Sequence, residues 1–298
     1  MQTALDCIPC FIRQALETAR FVTDDLVVHE RLVREALRSA AAMDLAQCPP
    51  LVAQRIRRRL REITGVADPY IAVKDRFNRM ALDMLPYLSG KVRSTSDPLA
   101  MAVRLAIAGN VIDVGVNGGL TEDDARLSIC NALNEPFDGD VDVFRQAVDD
   151  ARNILYLADN AGEIVFDRLL IEQLPMERLT VAVRGRPVLN DATMADAKVA
   201  GLCDWVEVID NGSDAPGTIL EDCSGEFRRR FAQADLIIAK GQGNFETLSD
   251  EKANICFLFK AKCQVIAEHV SVPVGTHVLL SSKHTVSTGL QVTIEDQS

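Results

Sequence analysis

Apolar residues in the first hundred positions recur every three or four residues, the period of helices with one buried face. Leu5, Ile8, Ile12, Ala15, Leu16 and Ala19 line one stripe. Others run through Leu32, Val33, Ala36, Leu37 and Ala40, through Ile56, Leu60 and Ile63, and through Phe77, Met80, Ala81, Met84 and Leu85. Asp68-Pro69 and Asp97-Pro98 each set a side-chain acceptor before a proline suited to the first helical turn, so helices are predicted to start there. Residues 99–108 are apolar nearly all round, which predicts a buried helix that carries Gly109-Asn110 inward. Lys74 and Asn78 lie one turn apart on a helix, where a solvated face is expected.

After about residue 150 the texture changes to short β-branched and aliphatic runs, at 154–157, 179–183, 205–209 and 236–239, separated by helical stretches. Such near-continuous apolar strands predict a mostly parallel sheet covered on both faces. Residues 265–267 and 277–280 are expected to add later strands. No internal repeat or Pro/Gly/Ser linker interrupts the chain. The expected fold class is therefore α/β, with a helical domain over residues 1–150 packed closely on a three-layer α/β/α domain over residues 151–298.

A length of 298 residues with 48% hydrophobic content supplies apolar surface for a large core. The net charge of -11 makes the overall field repulsive to nucleic acid, and a small anionic ligand would need local cations or a metal. The first residues lack a basic segment followed by an apolar run, and no stretch reaches membrane-spanning length, so no membrane partner and a cytoplasmic location are expected. The eight cysteines are scattered and are expected to be reduced. Cys7-Ile8-Pro9-Cys10 is an isolated Cys-x-x-Cys; buried thiols on a helix compete there with a redox role or a second metal. Oligomeric state leaves no mark in the sequence.

In an open parallel sheet, ligands sit beyond the carboxyl ends of the strands. The most polar clusters fall there: Asp159-Asn160-Ala161-Gly162-Glu163, Asn190-Asp191, Asp210-Asn211-Gly212-Ser213-Asp214 and Lys240-Gly241-Gln242-Gly243-Asn244. The Asp/Asn pairs are also good helix caps. Together, however, they supply charged and neutral oxygen donors of the kind Mg²⁺ or Mn²⁺ prefers, with no histidine or cysteine to favour zinc. Lys240 enters a glycine-rich turn where an ammonium and backbone N–H groups can approach phosphate, although the Walker A and dinucleotide-binding patterns are both absent. Asn110 and Asp113 follow the apolar helix and either cap the next segment or line a cleft. Arg184 and Arg186 stand beside a turn, where arginines are ordinarily exposed; contact with a second anionic group is the alternative.

The order Asp6-Cys7-Ile8-Pro9-Cys10, Gly109-Asn110-Val111-Ile112-Asp113, Ala158-Asp159-Asn160-Ala161-Gly162-Glu163, Asn190-Asp191-Ala192 and Lys240-Gly241-Gln242-Gly243-Asn244-Phe245-Glu246 resembles the DUF89 family, which includes the damage-control phosphatases. The cysteine-bearing start is similar to its prokaryotic branch. The resemblance implies a helical domain joined to an α/β/α domain, with a divalent cation (Mg, Mn, Co or Ni) held by Asp159, Asn160 and Asp191. It further implies catalytic roles for Asp159, Asp191 and Lys240, a phosphate contact from Lys240, and Asn110, Asp113 and Asn244 around a small phosphorylated metabolite. The implied activity is phosphomonoester hydrolysis. A non-catalytic phosphometabolite-binding module and a carboxylate methyltransferase are the alternatives, the latter without a glycine-rich adenosyl-binding loop.

Overall fold

The computed structural model describes residues 1–109, 126, 127, 129–131 and 134–283, so Asn110 and Asp113 lie outside the described residues. The helical stripes form α1 (Cys7–Val22), α2 (Leu26–Ala41), α3 (Pro49–Thr64), α4 (Ile71–Ser94) and α5 (Pro98–Ala108). Asp97 caps α5 as predicted, its Oδ1 accepting from the Ala100 N–H at 3.1 Å. Asp68 differs: α4 begins only at Ile71, and the Asp68 carboxylate accepts from the Tyr70 N–H instead, at 2.9 Å.

The rest of the chain alternates strands and helices: β1 (Phe137–Gly139), α6 (Val141–Asp150), β2 (Ile154–Leu157), α7 (Glu163–Ile171), β3 (Leu179–Val183), α8 (Met194–Val199) and β4 (Glu207–Asp210). It continues with α9 (Gly225–Gln233), β5 (Leu236–Lys240), α10 (Gln242–Leu248), β6 (Ile255–Lys260), α11 (Gln264–His269) and β7 (His277–Ser281). The strands form one sheet in the order β1-β7-β6-β5-β2-β3-β4, parallel throughout except for the β6–β7 pair.

Alternate side chains of each strand enter different layers. Ile154, Tyr156, Val181, Ile238 and Leu258 pack with α4, α5 and α7, while Leu155, Leu157, Ile237, Ala239, Phe257 and Phe259 pack with α9, α10 and α11. This is the three-layer α/β/α arrangement expected from the apolar runs. A separate cluster of Phe11, Ala15, Ala19, Leu32, Ala36, Val52, Ile56 and Leu60 joins α1, α2 and α3. In packing, α4 and α5 thus share the core of the sheet, although their sequence texture is that of the helices before them.

Residues 265–267 are not a strand: they lie within α11, started by an extended Cys263, with Ile266 and Ala267 facing the sheet. The β4 region is a half-exposed edge strand shifted toward Asp210. The sequence reading did not single out β6, although Ile255-Cys256-Phe257-Leu258-Phe259 is as continuously apolar as its neighbours. No helix among the described residues is long and apolar enough to cross a membrane.

The helix α3 is fastened to the loop after β4 through a buried carboxylate. Asp214 accepts from Gln54 at 2.8 Å, from Arg58 at 2.9 Å and from Arg61 at 3.0 Å. Burial by itself would push its pKa up, but the hydrogen bonds from Arg58 and Gln54 and the charges of Arg58 and Arg61 outweigh this and hold it below the ordinary carboxylate value. A depressed folded-state pKa adds stability above the unfolded value and loses it as pH falls through the folded one. Asp214→Asn should therefore destabilise the protein at pH 7, and the difference from the parent chain should shrink below about pH 4; urea unfolding across that range checks it.

Candidate active site

From β2 the chain winds to β3 on one side, while β5 lies on the other, so the carboxyl ends of these three strands frame a crevice at the point where the winding reverses. Residues 158–163, 184–193 and 241–244 follow these ends. The first two segments are stitched backbone to backbone: the Ala161 N–H donates to Asn190 O at 2.8 Å, the Ala192 N–H to Asp159 O at 2.7 Å, and Asn160 and Asp191 form an antiparallel bridge. Asp159, Asn160 and Asp191, expected from sequence to share an ion, are thereby brought together. Just before them Leu189 holds φ at 48°, a left-handed conformation costly for a branched side chain.

Asn160 Nδ2 donates to Asp159 Oδ2 at 2.9 Å and to Glu163 Oε2 at 3.1 Å, so its carbonyl oxygen is the atom suited to face a cation. The third segment meets Asp159 through bare backbone. Gly241 has φ of 78°, and a Cβ there would stand 1.9 Å from Asp159 Oδ2.

Lys240 is fully buried, and its ammonium donates to Glu163 Oε1 at 2.8 Å, Asp167 Oδ1 at 2.6 Å and Ala106 O at 2.9 Å. The cation expected to meet phosphate thus already has three protein acceptors. Asn244 is likewise internal: it donates to Lys240 O at 2.8 Å and accepts from the Thr218 hydroxyl at 2.8 Å and Arg184 Nη1 at 3.3 Å. It joins the ends of β3 and β5 rather than presenting its amide to the crevice.

Arg184, expected more readily at the surface, is 2% exposed, whereas Arg186 is exposed. Arg184 Nε donates to Asp191 Oδ2 at 2.7 Å. Its Nη2 stands 3.7 Å from Asp159 Oδ1 and has no hydrogen-bond partner among the described residues. Half-buried Lys262, just beyond β6, adds positive charge to the surroundings of Asp159. Arg184 is expected there from sequence only as the alternative to a surface residue, and Lys262 and Asp167 are site residues that the sequence did not single out. An apolar strand running into Arg184 was the available signal for the first; Asp167 offered only its position one turn after Glu163 on a helix.

Burial raises the Asp159 pKa well above the ordinary carboxylate value, and the charges of Glu163 and Asp191 raise it further against Lys262 and Arg184. Burial and Glu163 also raise Asp167, to about 6, although Lys240 and the Tyr156 hydroxyl oppose the shift. Lys240 is stripped of water by burial, yet Asp167 and Glu163 more than compensate and hold its pKa above the ordinary lysine value.

Among the described residues no group of three or more His, Cys, Asp or Glu side chains forms a ready metal cage. The set of Asp159, Asn160 and Asp191 contains two carboxylates and one amide carbonyl, a hard oxygen set, and the excess negative charge that raises Asp159 is what a divalent cation would neutralise. These residues fit such an ion. Cys7 and Cys10 are free, half-buried thiols at the start of α1, with burial raising the Cys7 pKa and Glu246 and Cys263 near enough to raise it further, although no group of three or more such side chains is placed to hold a second metal among the described residues. Lys74 and Asn78 overturn the expectation of a solvated face: they are 4% and 1% exposed and both bond to Asp196.

Comparison with known proteins agrees with this architecture. The profile described as "Damage-control phosphatase ARMT1-like domain" matches residues 3–278. A protein named damage-control phosphatase from Archaeoglobus fulgidus is 37% identical, over 91% of this chain and 96% of its own length. Another of that name, from Pyrococcus horikoshii, is 34% identical over 95% of this chain and 99% of its own length. The crystal structure of a DUF89 family protein from Pyrococcus horikoshii superposes with a TM-score of 0.84 at 33% identity, covering 95% of this chain and 99% of that one.

Gly241→Ala should cost about 1–3 kcal/mol, since it combines a nearly glycine-only conformation with displacement of the Asp159 carboxylate. Gly225→Ala, with open space around it, should be close to neutral, and paired denaturant titrations read the contrast.

Proposed function

The chain belongs to the damage-control phosphatase ARMT1-like family, and from that premise we propose that it is a divalent-metal-dependent phosphatase of small phosphate monoesters, such as sugar phosphates and damaged or overflow phosphometabolites. The observation that carries the reading is the backbone stitching of Asp159-Asn160 to Asp191, which brings two buried carboxylates and an amide together at the strand ends. In this reading Asp159, Asp191 and the carbonyl of Asn160 hold Mg²⁺, Mn²⁺, Co²⁺ or Ni²⁺. When bound, the ion supplies charge neutralisation to the phosphoryl oxygens and draws electron density from phosphorus.

The chain's own residues do the rest. Arg184 anchors Asp191 through Nε and turns Nη2, which lacks a hydrogen-bond partner among the described residues, toward the space beside Asp159. That donor suits a phosphoryl oxygen, as a guanidinium matches phosphate geometry. Lys262 adds a second positive charge at the crevice. Lys240 acts from within: by holding Glu163 it fixes the carboxylate that orients Asn160. The Asp159 carboxylate is of the type that either attacks phosphorus or accepts a proton from attacking water. A preorganised, water-poor arrangement of this kind acts most strongly on charge that develops in the transition state.

Asp159→Asn keeps the size of the side chain and removes its charge. It should lower phosphate release from a panel of sugar phosphates with Mn²⁺ by about a hundredfold or more, the loss typical of one preorganised electrostatic group. Turnover at the parental rate by a folded variant would refute the assignment.

A further inference from the structure

Two polar side chains of α4 lie under the catalytic loops without reaching the carboxylates themselves. Asn78 Oδ1 accepts from the Gly162 N–H at 2.7 Å, and Asn78 Nδ2 donates to Asp196 Oδ1 at 2.9 Å. The other Asp196 oxygen accepts from the Thr193 N–H and hydroxyl, both at 2.8 Å. Lys74 Nζ stands 3.4 Å from that oxygen and 3.1 Å from Asp68 Oδ2. Gly162 lies three residues after Asp159 and Thr193 two after Asp191. One bonded chain, Gly162–Asn78–Asp196–Thr193, therefore spans both loops.

The geometry has the marks of a brace. Gly162, with φ of 78°, lies so close to α4 that a Cβ would come 3.0 Å from Phe77 Cβ and 3.2 Å from Phe77 O. Lys74, Asn78 and Asp196 are 4%, 1% and 3% exposed. Apolar side chains of similar size would fill this interface without a charge to desolvate, but they could not bind the Gly162 and Thr193 N–H groups and so would not anchor the stitched loops to α4. Asn78 meets opposite needs with its two amide atoms, an acceptor toward one loop and a donor toward the carboxylate that holds the other.

We propose that Asn78, backed by Asp196 and Lys74, is a positioning residue that braces the backbone-stitched Asp159 and Asp191 loops against α4 and thereby tunes the affinity for the divalent cation. This inference rests on the assignment of Asp159, Asn160 and Asp191 to that cation. Groups bonded directly to metal ligands commonly govern affinity by about 10- to 100-fold, and Asn78, one step further out, is expected to act at or below the lower end of that range.

The test is direct titration of the folded chain with Mn²⁺, reading free Mn²⁺ by electron paramagnetic resonance. Asn78→Asp retains an acceptor for Gly162 but sets two carboxylates against each other, and should weaken Mn²⁺ binding several-fold, up to about tenfold. Exchanging the pair, N78D with D196N, restores one donor between them and should recover most of the affinity. Leu32→Ala, buried in the remote α1–α3 cluster, should lower the melting temperature while leaving Mn²⁺ affinity unchanged. If N78D does not fold, Lys74→Met carries the same test, with a loss of several-fold expected. Unchanged affinity in the folded N78D or K74M variant, or an exchanged pair no better than N78D, overturns the bracing role while Asp159→Asn still abolishes binding. Retention of full Mn²⁺ affinity by Asp159→Asn overturns the cation assignment and the inference with it.

Discussion

Asp159, Glu163, Asp167 and Asp191 are buried in one small region, and the fully or nearly fully buried cations described among them are Lys240 and Arg184. Carboxylates in a poorly polarisable interior repel strongly and must be paired or protonated. Lys240 quiets the inner half of the group by bonding Glu163 and Asp167 together. Arg184 grips Asp191, and Asp159 sits among the charges of Glu163, Asp191, Arg184 and Lys262. In the proposed function a divalent cation would add positive charge at this point.

Backbone, more than side-chain length, sets the geometry. The carboxylate-bearing loops exchange peptide hydrogen bonds, Gly241 lets a third loop lie against Asp159, and Leu189 accepts a strained conformation at the approach to Asp191. Donors held this way need little rearrangement during reaction, which is where preorganised sites gain their advantage. On one side α4 underlies the loops; on another, α3 grips Asp214 with two arginines and a glutamine. The helices that precede the sheet therefore brace the crevice as well as cover the core.

The separation of roles between Lys240 and Arg184 shows how burial changes chemistry. At the end of an apolar strand and before a glycine-rich turn, a lysine reads as a phosphate ligand. In the folded chain its side chain enters the α4–α7 side of the sheet and finds two acids there. Arg184 follows β3, on the far side of β2 from β5, and its guanidinium lies among Asp159, Asp191 and Asn244. Which cation lies beside Asp159 and Asp191 depends on which layer each side chain enters.

Helical stripes, the Asp97 cap, the apolar central strands and the placement of polar clusters at strand ends were all legible before folding, because each depends on residues within a few positions of one another. Local pattern misled at residues 265–267, where an apolar triplet too short to establish a period belongs to a helix, and passed over β1, an edge strand of three residues. It also assigned Lys74 and Asn78 to solvent, since their partner Asp196 is more than a hundred positions away. Short-range periodicity and capping could thus write the list of elements and the ends at which chemistry would gather. The choice of ion pairs, the burial of Arg184 and the brace beneath the loops arise from contacts between distant segments, whose energies exist only once the layers have packed.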